Sequence, residues 1–151
     1  MNDQIAEIME TAMMKEVASA ALYHRAAGLT SDPAAAALLR ELAAAEENHL
    51  AALKKLPEGE MPIQPVPHPD ISRITLSEYL IAPDELPGAD LPGTLLFAIR
   101  QEASAAAFYQ DLADVFSDSL ARELAVALSE QEREHQAALE RLYETVVYVE
   151  D

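Results

Sequence analysis

The sequence contains no cysteine. This absence excludes a disulfide framework and any cysteine-ligated iron–sulfur, rubredoxin-type or structural zinc site within the polypeptide. Aromatic residues are scarce, at 5%, and all but one of the nine prolines lie between positions 57 and 92. We therefore expect the 151 residues to form one mostly helical domain, in which a single long irregular connection carries the prolines.

Basic residues are also few, with ten Lys and Arg against 27 acids and a net charge of -17. This balance argues against a nucleic-acid partner and against binding to anionic membranes. An acidic surface attracts cations, although it is equally consistent with a solvated surface kept for solubility. No apolar run reaches the length of a membrane span, and Met1 to Gln4 lacks the features of a signal peptide, so we expect a cytoplasmic protein.

Two parts of the chain repeat each other at an offset of 86 residues. The segment 46–49 reads Glu-Glu-Asn-His, and the segment 132–135 reads Glu-Arg-Glu-His. The same offset relates Glu16 to Glu102 and Tyr23 to Tyr109. The chain is thus interpreted as two copies of one helical hairpin.

Apolar spacing and terminal signals predict four helices. The first hairpin spans about residues 4–56, with one helix over 5–27 and a second that starts after the signal 30–33 and ends near Leu56. A crossover over about 57–91, with a helical turn near 76–81, links it to the second hairpin over about 92–145. Its helices run from Pro92 to near Val115 and from a cap at 117–119 to about Tyr143 or a little further. We expect an all-α four-helix bundle whose first and third helices are antiparallel.

The repeated acids are predicted to face the interior. Glu16 and Glu102 lie on apolar stripes, and residues three apart on a helix, such as Glu46 and His49, share one face. Neither Lys15 nor Arg100, the basic residues close to these acids, is assigned to an inner stripe. Four buried carboxylates without compensation would be very costly, whereas two divalent cations would balance their charge. The predicted metal ligands are Glu16, Glu46, His49, Glu102, Glu132 and His135.

The two repeated tyrosines have two interpretations. Tyr23 and Tyr109 lie seven residues after the acids of the first and third helices, on the same faces. Their phenols either donate to a ligating carboxylate or a bridging oxygen, which would tune the site, or belong to the apolar core with their hydroxyls satisfied elsewhere. The apolar tail 146–149 is expected either to cap the bundle or to pack on another subunit.

This doubled ligand set resembles the ferritin-like superfamily and, within it, the rubrerythrin-like branch. The resemblance covers both hairpins and implies a ferritin-like bundle with two iron ions, or sometimes manganese. It implies that Glu16 and Glu102 are terminal ligands, that Glu46 and Glu132 bridge the metals, and that each histidine ligates one. Zinc is also chemically compatible with these oxygen and nitrogen ligands.

Two departures separate this chain from rubrerythrin. The additional Glu that rubrerythrin carries three residues after the terminal ligand of its third helix is Ala105 here. A ligand exchange at that position is therefore absent or different. The rubredoxin-like domain is also missing, because the chain has no cysteine. A peroxidase cycle would thus need an external electron donor, such as a rubredoxin-like protein.

The leading functional hypothesis is a non-haem di-iron oxidoreductase that reduces hydrogen peroxide or dioxygen. The first alternative is a ferroxidase or an iron-binding protein for storage or delivery. The second is a bundle in which redox-inert metal ions only stabilise the fold. We also expect a homo-oligomer, with a dimer favoured by the apolar tail and the alanine-rich helices.

Overall fold

The structure, a computed structural model, describes residues 3–55, 90–116 and 119–148. These residues form four helices, α1 Asp3–Gly28, α2 Pro33–Lys55, α3 Leu91–Val115 and α4 Ser119–Tyr148. The predicted all-α four-helix bundle is confirmed. Most of the predicted crossover, its helical turn and part of the α4 cap lie outside the described residues.

The helix boundaries agree with the predicted ones to within about two residues, except at the end of α4. That helix was predicted to run to about Tyr143 or a little further, and it continues to Tyr148. No Gly or Pro follows Tyr143 to stop the helix, so α4 continues through most of the apolar tail. Val146 packs against the adjoining apolar cluster, as the first interpretation of the tail predicts.

The four helices pack as two hairpins. Helix α1 packs along α2 and α3 along α4, and the hairpins meet where α1 faces α3 and α2 faces α4. Ile8, near the start of α1, shares an apolar cluster with Val115 at the end of α3. The first and third helices are therefore antiparallel, as predicted.

Two apolar clusters occupy opposite ends of the bundle. The first cluster contains the N-terminal part of α1, the C-terminal part of α3 and the first half of α4, with Phe108, Leu112 and Leu128 among its members. The second contains the other end of each helix, with Leu39, Leu95 and Leu139 among its members. In every helix the predicted ligands fall between these clusters, so the bundle holds one polar layer between two apolar ones.

Two aspartates fix the starts of α2 and α3. The Asp32 carboxylate accepts from the Ala34 N–H at 3.1 Å, just before the proline that opens α2. Asp90 is the N-cap of α3, and its carboxylate accepts from the Gly93 N–H at 2.9 Å. These contacts satisfy backbone donors that have no partner within the helix, and they set where each helix begins.

In the described ranges 3–55, 90–116 and 119–148, no helix combines the length and apolar character needed to cross a membrane.

Replacing Asp90 by Ala should lower the free energy of unfolding by about 0.5–2 kcal/mol, because the Gly93 N–H loses its acceptor. Chemical denaturation followed by circular dichroism measures this change. Asp90→Ser retains an acceptor and should recover most of the loss. Equal destabilisation by Ser and Ala would show that the cap does not hold the start of α3.

Candidate metal centre

Each helix contributes one carboxylate to the polar layer. Glu16 on α1, Glu46 on α2, Glu102 on α3 and Glu132 on α4 are all 0% exposed. These carboxylates face inward because each one occupies a position on the apolar stripe of its helix, and that stripe faces the core. The prediction that the repeated acids face the interior is confirmed.

The structure brings all the predicted ligands together in two overlapping groups. One group contains Glu16, Glu46, His49 and Glu132, and the other contains Glu46, Glu102, Glu132 and His135. In each group the candidate donor atoms lie within 4.8 Å of one another. Glu46 and Glu132 belong to both groups, so they lie where the two groups overlap.

Both imidazoles turn Nδ1 toward the carboxylates. His49 Nδ1 lies 3.0 Å from Glu132 Oε1, and His135 Nδ1 lies 2.9 Å from Glu46 Oε1. The acid of the same Glu-x-x-His motif is farther away, at 3.9 Å for His49 and 3.7 Å for His135. Each histidine therefore contacts most closely the motif carboxylate of the other hairpin.

In the described residues, several buried oxygen and nitrogen atoms of the cluster, all able to coordinate a cation, lack a hydrogen-bond partner. Within the described residues, these atoms are Glu16 Oε2, Glu46 Oε2, Glu102 Oε2 and Glu132 Oε2. His49 Nδ1 and Glu132 Oε1 also lack one, since their 3.0 Å contact is an ion pair without hydrogen-bond geometry. Buried polar atoms are nearly always satisfied, and an unpaired buried charge costs several kcal/mol. A cluster of unpaired carboxylate oxygens and an imidazole nitrogen fits a divalent cation, which would coordinate these atoms directly.

Without metal, the four carboxyl groups divide into two kinds. Burial raises the pKa of Glu46 well above its usual value, and the nearby carboxylates raise it further. Burial and the Glu102 charge likewise raise the pKa of Glu132 to about 8. The protonated form is thus favoured at both Glu46 and Glu132, the two residues that the ligand groups share.

The other two carboxyl groups remain ionised. Burial opposes ionisation of Glu16, but the neighbouring Glu46 carboxyl and His49 outweigh it and lower the pKa to about 2. Burial also opposes ionisation of Glu102, but contacts with His135 and the Glu132 carboxyl outweigh it and lower the pKa of Glu102. In the metal-free protein, the negative charge of the carboxyl groups therefore lies mainly on the outer pair, Glu16 and Glu102.

His49 is protonated in the metal-free cluster. Burial disfavours the imidazolium, but contacts with Glu132 and Glu16 outweigh it and raise the pKa to about 10. The group must lose this proton before Nδ1 can bind a cation.

The repeated tyrosines connect the hairpins crosswise. The Tyr23 hydroxyl on α1 donates to Glu102 Oε1 on α3, and the Tyr109 hydroxyl on α3 donates to Glu16 Oε1 on α1. Burial and the neighbouring carboxylates raise the pKa of both phenols well above their usual value, so both remain donors. Each tyrosine packs in an apolar cluster and also contacts a carboxylate, so the structure combines features of the two interpretations.

The prediction that no basic residue enters the inner layer is wrong for Lys15. Its side chain is only 2% exposed, whereas Arg100 is exposed as expected. Lys15 follows Ala12 by three residues and precedes Ser19 by four, and both of these are buried. The spacing of Ala12, Lys15 and Ser19 could have indicated a second buried stripe on α1. It is a weak signal, because Lys is seldom buried.

Gln131 is a further residue that sequence reasoning missed. Its side-chain oxygen lies 2.6 Å from His49 Nε2, the ring nitrogen opposite the one that faces the carboxylates. An acceptor at this position would fix the ring orientation and keep Nδ1 free to bind a cation. The repeat gives no signal for it, because the equivalent residue in the first hairpin is Ala45.

His24 lies outside the cluster. His24 is exposed and pairs with Glu47 at 3.1 Å on the surface. His68 lies outside the described residues. Ala105, at the position of the additional rubrerythrin carboxylate, is buried in the bundle.

Comparison with known proteins agrees with this geometry. The chain is similar to a hypothetical protein from Pyrococcus furiosus of known structure, with a TM-score of 0.69 and 21% sequence identity over 93% of this chain and 89% of that chain. At that identity the similarity shows the fold alone. No curated protein matches the chain. The profile of the ferritin-like domain matches residues 4–145. The chain therefore belongs to the family of ferritin-like domains.

Proposed function

We propose that this protein is a non-haem di-iron oxidoreductase of the rubrerythrin type that reduces hydrogen peroxide or dioxygen. The observation that carries the proposal is the pair of overlapping Glu and His groups that share Glu46 and Glu132. Two carboxylates common to adjacent cation positions are what a bridged metal pair requires.

The donor set supports iron, with manganese or zinc as chemically acceptable substitutes. Glu16, Glu46 and His49 would hold one ion together with Glu132, and Glu102, Glu132 and His135 would hold the other together with Glu46. Six ligands shared in this way leave coordination positions for a small oxidant. When bound, a ferrous pair supplies the two electrons that convert hydrogen peroxide and two protons into two molecules of water.

The chain's own residues would orient the ligands and exclude water. Tyr23 and Tyr109 hold the outer carboxylates from the opposite hairpin, and Gln131 orients His49. The apolar clusters on both sides keep the layer dry, which strengthens every electrostatic interaction within it. Return to the reduced state would require an external donor such as a rubredoxin-like protein, since the chain has no cysteine. That the protein forms a homo-oligomer, with a dimer favoured, stays a prediction.

Glu132→Gln tests the role of Glu132 as a ligand that both ions would share. Protein purified without chelator should contain two metal ions per chain, mostly iron, by elemental analysis. Glu132→Gln should weaken metal binding by more than the roughly 10- to 100-fold that loss of an outer partner costs. Mixing the anaerobic ferrous protein with peroxide should give a rapid rise in ferric absorption for the wild type and little for the variant.

Glu134→Gln is the matched control, because Glu134 lies two residues away but is exposed. It removes the same charge and should leave metal content and oxidation unchanged. Equal effects of the two substitutions would contradict the proposed site. Many irons per chain in a large assembly would favour storage, and bound zinc without reaction after iron loading would favour a redox-inert bundle.

Metal binding should release about two or more protons per chain at neutral pH. The cation requires His49 and Glu132 deprotonated, whereas their pKa values in the metal-free fold are about 10 and about 8. Affinity for zinc should therefore increase with pH and level off above about pH 10. Calorimetry in buffers of different ionisation enthalpy counts the protons. Affinity that stays constant between about pH 6 and about pH 8 would contradict this protonation pattern.

Tyr23→Phe and Tyr109→Phe should each weaken metal binding about 10- to 100-fold, because an outer carboxylate loses the phenol that orients it. Equilibrium competition with a chelator measures the change. Tyr143→Phe is the control, since Tyr143 is half-buried in the second apolar cluster. Reduced folding stability with unchanged metal affinity would assign the two tyrosines to the core alone.

A further inference from the structure

Lys15 is a buried cation that lies beside the carboxylate layer. It lies on α1 immediately before Glu16, and its side chain is 2% exposed. Within the part of the chain that the structure describes, its Nζ atom has no hydrogen-bond partner. A buried ammonium with three unused donors is costly, so the position requires an acceptor to satisfy it.

The Lys15 side chain belongs electrostatically to the whole cluster. Burial lowers the pKa of its ammonium, but the carboxylates outweigh burial and raise the pKa above its usual value. The strongest of these attractions comes from Glu132 on α4, ahead of the adjacent Glu16. The buried ammonium is thus acted on by four carboxylates, one from each helix.

Lys15 also breaks the symmetry of the repeat. The equivalent residue at the 86-residue offset is Gln101, which is half-buried and uncharged. Arg100, the basic residue nearest to Glu102, is exposed. Of Lys15 and Arg100, only Lys15 thus brings its charge into the interior beside the carboxylates.

This charge alters the balance of a metal-loaded site. Four carboxylates and two divalent cations sum to zero, so Lys15 would leave one uncompensated positive charge in the buried interior. We propose that Lys15 donates a hydrogen bond to a small monovalent anion bound in this layer, such as azide or the hydroperoxide and superoxide anions of similar size and charge. The inference rests on the proposed metal site and assigns Lys15 as the residue that selects and orients its anionic ligand.

Azide binding to the cobalt(II)-loaded protein tests the inference without any redox step. Cobalt content is measured first, and azide is then titrated while the visible absorption of cobalt is followed. Lys15→Gln, which makes the two hairpins alike at this position, should weaken azide binding about 10- to 100-fold. Lys15→Met, which has similar length but no donor, should show the same loss and decides the question if the Gln variant does not fold.

Arg100→Gln is the matched control. It removes the same charge from an exposed position next to the other hairpin's ligand, and it should leave the azide dissociation constant unchanged. Equal losses for the Lys15 and Arg100 variants would reduce the effect to overall charge and overturn the role of Lys15.

The cobalt and azide results separate this inference from the proposed function. Two cobalt ions per chain with unchanged azide affinity in both Lys15 variants would overturn the role of Lys15 and leave the metal site standing. Failure of wild-type cobalt-loaded protein to bind azide would do the same. Failure of the wild type to bind cobalt would overturn the metal site and the inference together.

Discussion

The free energy cost of burying four carboxylates in one layer governs how this bundle is arranged. Glu16, Glu46, Glu102 and Glu132 lie where leucine would otherwise complete the core, and none is exposed. The metal-free fold offsets this cost in three ways: by retaining protons on the shared pair, by protonating His49 and by adding the charge of Lys15. Two divalent cations would replace the protons and bind the same oxygens, so loading the site and releasing protons are one event.

The duplicated hairpin explains how one chain builds a site with two similar halves. A single hairpin supplies one outer Glu and one Glu-x-x-His, which is too few ligands for a bridged pair. The contacts that complete each half come from the other hairpin, as when His49 contacts Glu132 or when Tyr109 donates to Glu16. Docking of the hairpins and assembly of the cluster therefore depend on the same contacts, and disturbing either one disturbs both.

The repeat is not perfect at the site, and both departures involve the same half. Gln131 contacts His49 where the other hairpin would offer Ala45, and Lys15 replaces the neutral Gln101. The ligand group that contains Glu16 and His49 thus differs from the other group in the side chain at its histidine and in the charge beside its outer Glu. Equivalent ligands do not make equivalent metal positions, because outer partners set the basicity and electrostatic environment of the ligands.

The sequence by itself determined the four helices, the repeat and which six residues face one layer. Glu, Glu-x-x-His and apolar spacing are local patterns, and helical periodicity translates them into faces without knowledge of the fold. It also predicted that Glu16 and Glu102 would be buried. It did not fix the last residue of α4, because no Gly or Pro after Tyr143 marks where that helix stops. Only the tertiary structure decided that Tyr23 contacts Glu102, that Gln131 orients His49 and that Lys15 lies inside. Those contacts join residues on different helices, and periodicity within one helix carries no information about which atoms of another helix it will meet.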